Sequence, residues 1–385
     1  MMLSELIKSL PEKKVFNWIE RDIKGIYYNS EKVKPEGLFV AIRGLKVDGH
    51  QYINSAVEKG AKVVVAEREI DKEINSDIKI TNIKVPNTRK ALSLLAQRFY
   101  GYPAHKMKLF GVTGTNGKTS VCYLFKAIME ELGTPIGVIG TIGYWLGKKK
   151  VEASHTTPES LDLQNYLAEM VKNNIRNVIM EVSSHSLVLD RLFGLRLDGA
   201  VFTNLTRDHL DFHRTLAEYK KAKLKMFTEL CDQKTIVVLN IDDNFSAEIK
   251  KNTLGHIITY GRNPQADVHL EQMQLSTEKS LLQVNTPYGR LVLNLQLLGE
   301  FNVLNTLAAI ALGIGLKIEP DAIIRGLEKI KEIKGRFETL RHNGITILID
   351  YAHTPDALAK LLNSARQICS GNLITVFGCG GDRDK

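Results

Sequence analysis

Two glycines, a lysine and a threonine lie close together in residues 109–125, where an apolar run ends in Gly114-Thr-Asn-Gly-Lys-Thr-Ser120. An amphipathic pattern follows, with Val121, Leu124, Phe125 and Ile128 on one side. A strand that passes through a glycine turn into a helix start presents backbone amides to a polyphosphate. Gly114 and Gly117 free those amides, Lys118 reaches terminal phosphates, Thr119 offers a hydroxyl to Mg2+, and Thr115, Asn116 and Ser120 complete the turn. Val112 stands where the general pattern has its first glycine, so the loop is a variant. The plain alternative is a strand-to-helix turn with chance glycines.

Glu181 lies near the end of the apolar run 177–182, at the edge where parallel sheets hold ligands, and suits a Mg2+ ligand. A core-edge glutamate satisfied by a nearby lysine is the other reading. In residues 216–230, Leu216, Tyr219, Met226, Phe227 and Leu230 form a helical stripe, and Lys223 takes the position that continues it. Lys220, Lys221 and Lys225 fall off that stripe. Burial disfavours an ammonium, so Lys223 is expected as a neutral amine able to take up carbon dioxide as a carbamate. A stem packed on Met226 and Phe227, with its head in water, is the alternative.

The elements that must position these groups are legible as short β-branched runs alternating with helical patterns. Residues 62–66, 109–113, 177–182, 200–203, 235–239, 345–349 and 373–377 read as strands, and 302–331 as one long helical stretch. Such alternation argues for an α/β protein with parallel sheets. Tyr100-Gly-Tyr-Pro103 and Lys334-Gly335 read as breaks, which divides the chain into 1–104, 105–334 and 335–385. The third unit holds two strands and one helix, too little to close a doubly wound core, and is expected to be incomplete.

Composition narrows the function classes. The chain has 385 residues, 44% of them apolar, with no run of about 18 apolar residues and with Glu5 where a signal peptide needs an apolar stretch. A cytoplasmic, multidomain protein without membrane insertion is expected. Cys122, Cys231, Cys369 and Cys379 are widely spaced and form neither a disulfide framework nor a zinc pattern. The net charge of +9 comes from 52 basic and 43 acidic residues that are interspersed, which suits anionic small substrates better than nucleic acid. Lys148–Lys150 read as a solvated hairpin tip.

The run Gly114–Thr119 resembles the nucleotide loop shared by Mur ligases and folylpolyglutamate synthetases. The resemblance continues through His155-Thr-Thr-Pro-Glu159, Glu181-Val-Ser-Ser-His185, Asn204-Leu-Thr-Arg-Asp-His209, Asn302-Val-Leu-Asn305, Gly335-Arg-Phe-Glu338, Asp350-Tyr-Ala-His-Thr-Pro355 and Gly378-Cys-Gly-Gly-Asp-Arg383. These motifs, in one order, resemble the Mur ligase family. The resemblance implies a three-domain architecture with a central phosphate-loop, parallel-sheet domain and a Rossmann-like third domain. It also implies an ATP- and Mg2+-dependent ligase of peptidoglycan synthesis that acts through an acyl phosphate. The implied substrates are UDP-N-acetylmuramoyl-L-alanyl-D-glutamate and a diamino acid, taken as meso-diaminopimelate because it is the commoner choice in the family, with L-lysine as the alternative.

Residue by residue, the resemblance makes Lys223 the carboxylated lysine and His209 a second metal-site residue beside Glu181. It places Asn302 and Asn305 near adenine, with Arg336 and Asp350 at phosphate and ribose. Ser30, His155, Thr156, Thr157, Ser183 and Arg191 become contacts to the UDP substrate, and Arg383 a contact to the incoming amino acid. For the hydroxyls, helix-cap and turn roles compete, and for the asparagines, positions on a helix surface. Arginine suits phosphates and carboxylates. A monomer is expected. Folylpolyglutamate synthetase, a nucleotide-binding remnant without turnover and a nucleic-acid ATPase are the competing classes. The UDP-domain resemblance of Tyr28-Asn-Ser30 and Gly44–His50 counts against the first, and the lack of an aromatic-basic strip against the last.

Overall fold

The computed structural model describes residues 1–44, 47–70, 79–276, 278–369 and 371–378. The chain falls into two compact units. The first comprises Met1–Lys106, Pro158–Lys172 and Val188–Leu195, so two segments from mid-sequence join the amino-terminal hundred residues. The second comprises Met107–Thr157, Asn173–Leu187 and Arg196–Lys385. Among the described residues of the second unit, those after residue 334 do not separate as a compact body of their own.

In the first unit, β1 (Lys14–Phe16), β2 (Gly25–Tyr27), β3 (Gly37–Val40), β4 (Ala61–Ala66) and β5 (Thr81–Lys84) form one sheet in the order β1-β5-β4-β3-β2. The pairings are parallel apart from β1 with β5. Successive side chains of a strand point to opposite faces, and both faces here are covered. Leu38, Val40, Val63, Val65 and Ile83 enter one core with Leu92 and Leu95 of the helix Thr88–Phe99. Phe39, Val64 and Ala66 enter another with Ile53, Ala56 and Val57.

In the second unit, β6 (Lys108–Thr113), β7 (Ile136–Gly140), β8 (Gly143–Leu146), β9 (Lys149–Val151), β10 (Asn177–Glu181), β11 (Gly199–Phe202), β12 (Ile236–Asn240), β13 (His256–Gly261), β14 (Val268–Leu275), β15 (Ser280–Thr286) and β16 (Gly289–Leu295) form one sheet. Their order is β16-β15-β14-β13-β12-β11-β6-β10-β7-β8-β9. The stretch from β14 to β7 is parallel and the flanking hairpins are antiparallel. The expected parallel sheet is therefore the middle of a larger mixed one. The turn at Gly147 and Lys148 joins β8 to β9, with Lys149 and Lys150 exposed in the strand that follows. β6 lies between β10 and β11, so the carboxyl ends of three parallel strands converge. They carry the loop at 114–117, Glu181 and residues 203–209 to one edge, where open α/β sheets bind ligands.

Three expectations about elements are corrected. The stretch 302–331 is two helices, Glu300–Gly315 and Pro320–Glu328. Lys317 turns left-handed after the first, and Pro320, which cannot continue a helix, opens the second. Residues 345–349 do form a strand, β18 (Ile345–Ile349), but it pairs antiparallel with β17 (Glu338–His342) in a separate hairpin. Residues 373–377 form no strand, because no described neighbour pairs with them, and Ile374 and Val376 stand 85% and 94% exposed.

Candidate active site

The glycine loop forms as its residue types require. Gly114 and Gly117 both have positive φ, at 149° and 88°, a region that side chains other than glycine rarely enter. Gly117 caps the helix Lys118–Glu131, whose Val121, Leu124, Phe125 and Ile128 are all fully buried, so the amphipathic reading of that helix holds. Helix start and loop thus lie at the carboxyl end of β6, with unpaired amides of the first turn available to an anion.

Lys118 folds back on this loop, and its Nζ donates to the carbonyls of Gly114 at 2.9 Å and Thr115 at 2.8 Å. Burial holds its ammonium below the ordinary lysine range, while the Glu181 carboxylate opposes that fall. Thr119 Oγ1 donates to Glu181 Oε1 at 2.9 Å. Glu181, at the end of β10 and 2% exposed, also accepts from the Thr141 amide at 2.8 Å and its hydroxyl at 3.2 Å. No lysine pairs with it at ion-pair distance among the described contacts. Arg336 reaches the same corner, its Nη2 donating to Thr119 Oγ1 at 3.1 Å while the guanidinium lies over the Tyr351 ring.

Lys223 lies on the helix Leu216–Glu229 and is 1% exposed, so its stem does not carry the head into water. Its Nζ donates to the Gly114 carbonyl at 2.8 Å and lies 4.5 Å from the centre of the Tyr219 ring. Burial pushes the amine well below the usual lysine range, and the charge of Lys118 adds to that fall against Asp208. Tyr219, Met226, Phe227 and Leu230 are buried as the stripe requires, but Leu216 is 41% exposed at the first turn.

His209 does not simply lie in a loop. It adopts a left-handed conformation, φ 54°, and caps the short helix Leu210–His213. Its ring lies 5.0 Å from that of His185 and its Nε2 is 3.5 Å from Asp208 Oδ2. Burial lowers its pKa to about 4, with Asp208 opposing and His185 reinforcing. No described contact joins His209 to Glu181 or Thr119, and no group of three or more His, Cys, Asp or Glu among the described residues converges as a metal cage.

The asparagines are core residues, not helix-surface ones. Asn302 Nδ2 donates to the Leu298 carbonyl at 2.8 Å, and Asn305 Nδ2 to Asn302 Oδ1 at 3.3 Å. A Cβ on Gly117 would fall 2.3 Å from Asn305 Oδ1, which places that amide against the loop. Asp350 spends its carboxylate on the amides of Phe337 and Ala352, both at 2.8 Å.

The hydroxyl positions have internal partners. Ser183 Oγ accepts from the Ser186 amide at 3.2 Å, a helix-cap role, and lies 3.3 Å from Thr157 Oγ1. Thr157 Oγ1 donates to the Glu181 carbonyl at 2.7 Å, and Thr156 Oγ1 lies 3.2 Å from Thr141 Oγ1. His155 is exposed, its carbonyl held by the Tyr144 hydroxyl at 2.5 Å. In the first unit, Ser30 is buried at the start of the turn Ser30–Lys32. There too, Arg191 Nε donates to Glu159 Oε1 at 2.5 Å, and Arg89 faces the same carboxylate at 3.3 Å. Arg383, with Leu45 and Lys46, lies outside the described residues.

Sequence reasoning gave no role to Thr203 or Thr141, and it quoted Asn204 only as the first residue of a motif. All three sit just beyond the carboxyl end of a strand beside the loop, the one signal that could have raised them.

Comparison with known proteins gives a consistent family. The Mur ligase family, catalytic domain, matches residues 22–100, the Mur ligase middle domain 112–313, and the Mur ligase, glutamate ligase domain, 335–385. The UDP-N-acetylmuramoyl-L-alanyl-D-glutamate--2,6-diaminopimelate ligase of Clostridium tetani is 42% identical, covering all of this chain and 79% of that protein. The ligase of the same name from Geobacter metallireducens is 41% identical, covering all of this chain and 76% of that one. Among solved structures, a ligase of that name superimposes with a TM-score of 0.78 at 27% identity, over all of this chain and 78% of the other. MurF from Acinetobacter baumannii shares the fold at a TM-score of 0.68 and 22% identity, over 94% of this chain and 76% of its own. With glycine loop, buried lysine and strand-end glutamate gathered at one sheet edge and the relatives matched along the whole chain, the protein belongs to the Mur ligase family.

Proposed function

We propose that this protein is an ATP-dependent ligase that adds meso-2,6-diaminopimelate to UDP-N-acetylmuramoyl-L-alanyl-D-glutamate in cytoplasmic peptidoglycan synthesis. The observation that carries the ligase chemistry is the gathering of Lys118, Thr119, Glu181 and buried Lys223 around the carbonyl and hydroxyl groups of one phosphate loop. The identity to the diaminopimelate ligases along all of this chain supports the choice of substrates. The domains are read as 1–104 for the UDP substrate, 105–334 for ATP and 335–385 for the amino-acid side.

In this reading the substrate carboxylate attacks the γ-phosphate of ATP and expels ADP, and the amine then displaces phosphate from the acyl phosphate, giving the amide. Two anions must meet in the first step, so the protein's part is positioning and charge neutralisation. Lys118 leaves the carbonyls of Gly114 and Thr115 to meet the terminal phosphates, and Arg336, already at Thr119, adds a second positive charge beside them. The amides of the first helical turn and Ser120 hold the remaining oxygens, with Asn302 and Asn305 toward adenine and Asp350 toward ribose.

Hard oxygen donors suit Mg2+, and the Glu181 carboxylate and Thr119 hydroxyl fit that preference. Thr119, Glu181, His209 and a carboxylated Lys223 would hold it, the last after the neutral amine takes up carbon dioxide. Mg2+ when bound supplies charge neutralisation of the phosphates. Ser30, His155, Thr156, Thr157, Ser183 and Arg191 are read as contacts to the UDP substrate, and Arg383 to the diamino acid. The test is to incubate the protein with ATP, Mg2+, the UDP-dipeptide and either diaminopimelate or L-lysine, and to weigh the products by mass spectrometry. A diaminopimelate tripeptide is expected. Product with lysine alone overturns the amine choice, and no product together with no binding of ATP or of the UDP-dipeptide overturns the assignment.

A further inference from the structure

We propose that Asn204 is a positioning residue that holds the phosphate loop in its anion-binding shape before a nucleotide arrives. Its side chain imitates a neighbouring strand: Oδ1 accepts from the Asn116 amide at 3.0 Å, and Nδ2 donates to the Asn116 carbonyl at 3.1 Å. Both backbone groups of one loop residue are thereby fixed by one side-chain amide. Its own backbone carbonyl accepts from the Thr115 amide at 2.8 Å.

The neighbours of Asn204 extend the clamp. Thr203 Oγ1 donates to the Asn116 carbonyl at 2.6 Å, and the Thr206 amide donates to Thr115 Oγ1 at 3.0 Å. From behind, Asn240 Nδ2 donates to the Thr203 carbonyl at 2.7 Å and braces the segment against β12. The two backbones approach so closely that a Cβ on Gly114 would fall 1.9 Å from Thr203 Oγ1 and 3.0 Å from the Asn204 amide nitrogen and carbonyl oxygen. The glycine is thus required by the clamp as well as by its own φ.

A flexible glycine loop loses conformational freedom when it closes on phosphate, and fixing it beforehand lowers that cost of binding. Asn204 therefore acts on nucleotide affinity without touching the nucleotide. The same segment runs on into Asp208 and His209, so the loop is tied to the stretch that leads into that turn.

This inference rests on the phosphate-loop reading, and the test separates the two. Asn204→Ala and Asn204→Asp are compared with the parent chain and with Lys118→Ala. ATP and UDP-dipeptide affinities are measured by calorimetry and melting by scanning fluorimetry. The two Asn204 variants are expected to weaken ATP by about tenfold or more, with UDP-dipeptide affinity unchanged and the melting temperature within about 2 °C of the parent. Unchanged ATP affinity in both, with Lys118→Ala impaired, overturns the role of Asn204 alone. Unchanged affinity in Lys118→Ala as well overturns the phosphate-loop reading beneath it. A matched loss of both ligands with a large fall in melting temperature shows a general structural role and also overturns the proposal.

Discussion

Lys118 and Lys223 donate to the same carbonyl oxygen, that of Gly114, at 2.9 and 2.8 Å. Two ammonium groups on one buried oxygen repel, and the lysine sealed deeper, Lys223, is held further below its ordinary range. Such a fall favours the free amine, the form that the proposed uptake of carbon dioxide by Lys223 requires. Lys223→Met keeps the stem and removes the nitrogen, and ligation is expected to fall on the order of a hundredfold while the fold persists. Degassed, bicarbonate-free buffer should slow the parent protein, and added 13C-bicarbonate should give it a carbamate carbonyl signal absent from the variant. Normal turnover in Lys223→Met would show that the side chain only packs.

Glu181 accepts from Thr119 and from two groups of Thr141, so Glu181→Gln retains an acceptor while losing its charge. The response of ATP affinity to Mg2+ is expected to weaken by at least about tenfold, with little change in melting. Calorimetric titration of ATP with and without Mg2+ reads this directly. A response equal to that of the parent would remove Glu181 from the metal site.

His213 is 4% exposed, its Nε2 2.8 Å from Ser184 Oγ, and burial first, then His185 and His209, lower its pKa from 6.5 to about 4. Between those two values the unfolded chain takes up a proton that the folded chain refuses. Stability is therefore expected to rise with pH through that window and to be lost as pH falls toward 4. Urea unfolding at a series of pH values should give a flatter profile for His213→Gln than for the parent, whatever the variant's absolute stability. An identical slope would mean that His213 is protonated as readily folded as unfolded.

Gly326 and Gly313 separate two kinds of packing. A Cβ on Gly326 would meet the backbone of the helix Lys118–Glu131, at 2.7 Å from the Ile128 Cα and 2.9 Å from the Ala127 carbonyl oxygen. A Cβ on Gly313 would meet only the far end of the Ile323 side chain, at 2.9 Å. Gly326→Ala is expected to destabilise by roughly 1–3 kcal/mol. Gly313→Ala should change stability by about 1 kcal/mol or less, because a helical alanine gain offsets the shift of Ile323. Denaturant unfolding of both checks the order, and equal losses would place a rigid contact at both glycines.

The glycine loop before a helix, Glu181 at a strand end and the burial of Lys223 were readable in sequence because each departs from a periodic pattern at a marked position. A lysine on an apolar stripe or a glutamate closing an apolar strand is visible without coordinates. Local rules also placed most strands of the parallel centre of the larger sheet, since short β-branched runs between turns leave few alternatives. Pairing partners are not local properties. The sequence could not show that β18 lies in its own antiparallel hairpin, that residues 373–377 meet no described strand, or that residues 158–172 and 188–195 join the amino-terminal unit. Nor could it show that Asn204 clamps Asn116, 88 residues earlier, or that Ser183 spends its hydroxyl on a helix cap. Those outcomes depend on which strand ends the sheet order brings together, and hydrogen bonds between distant segments form only once that order exists.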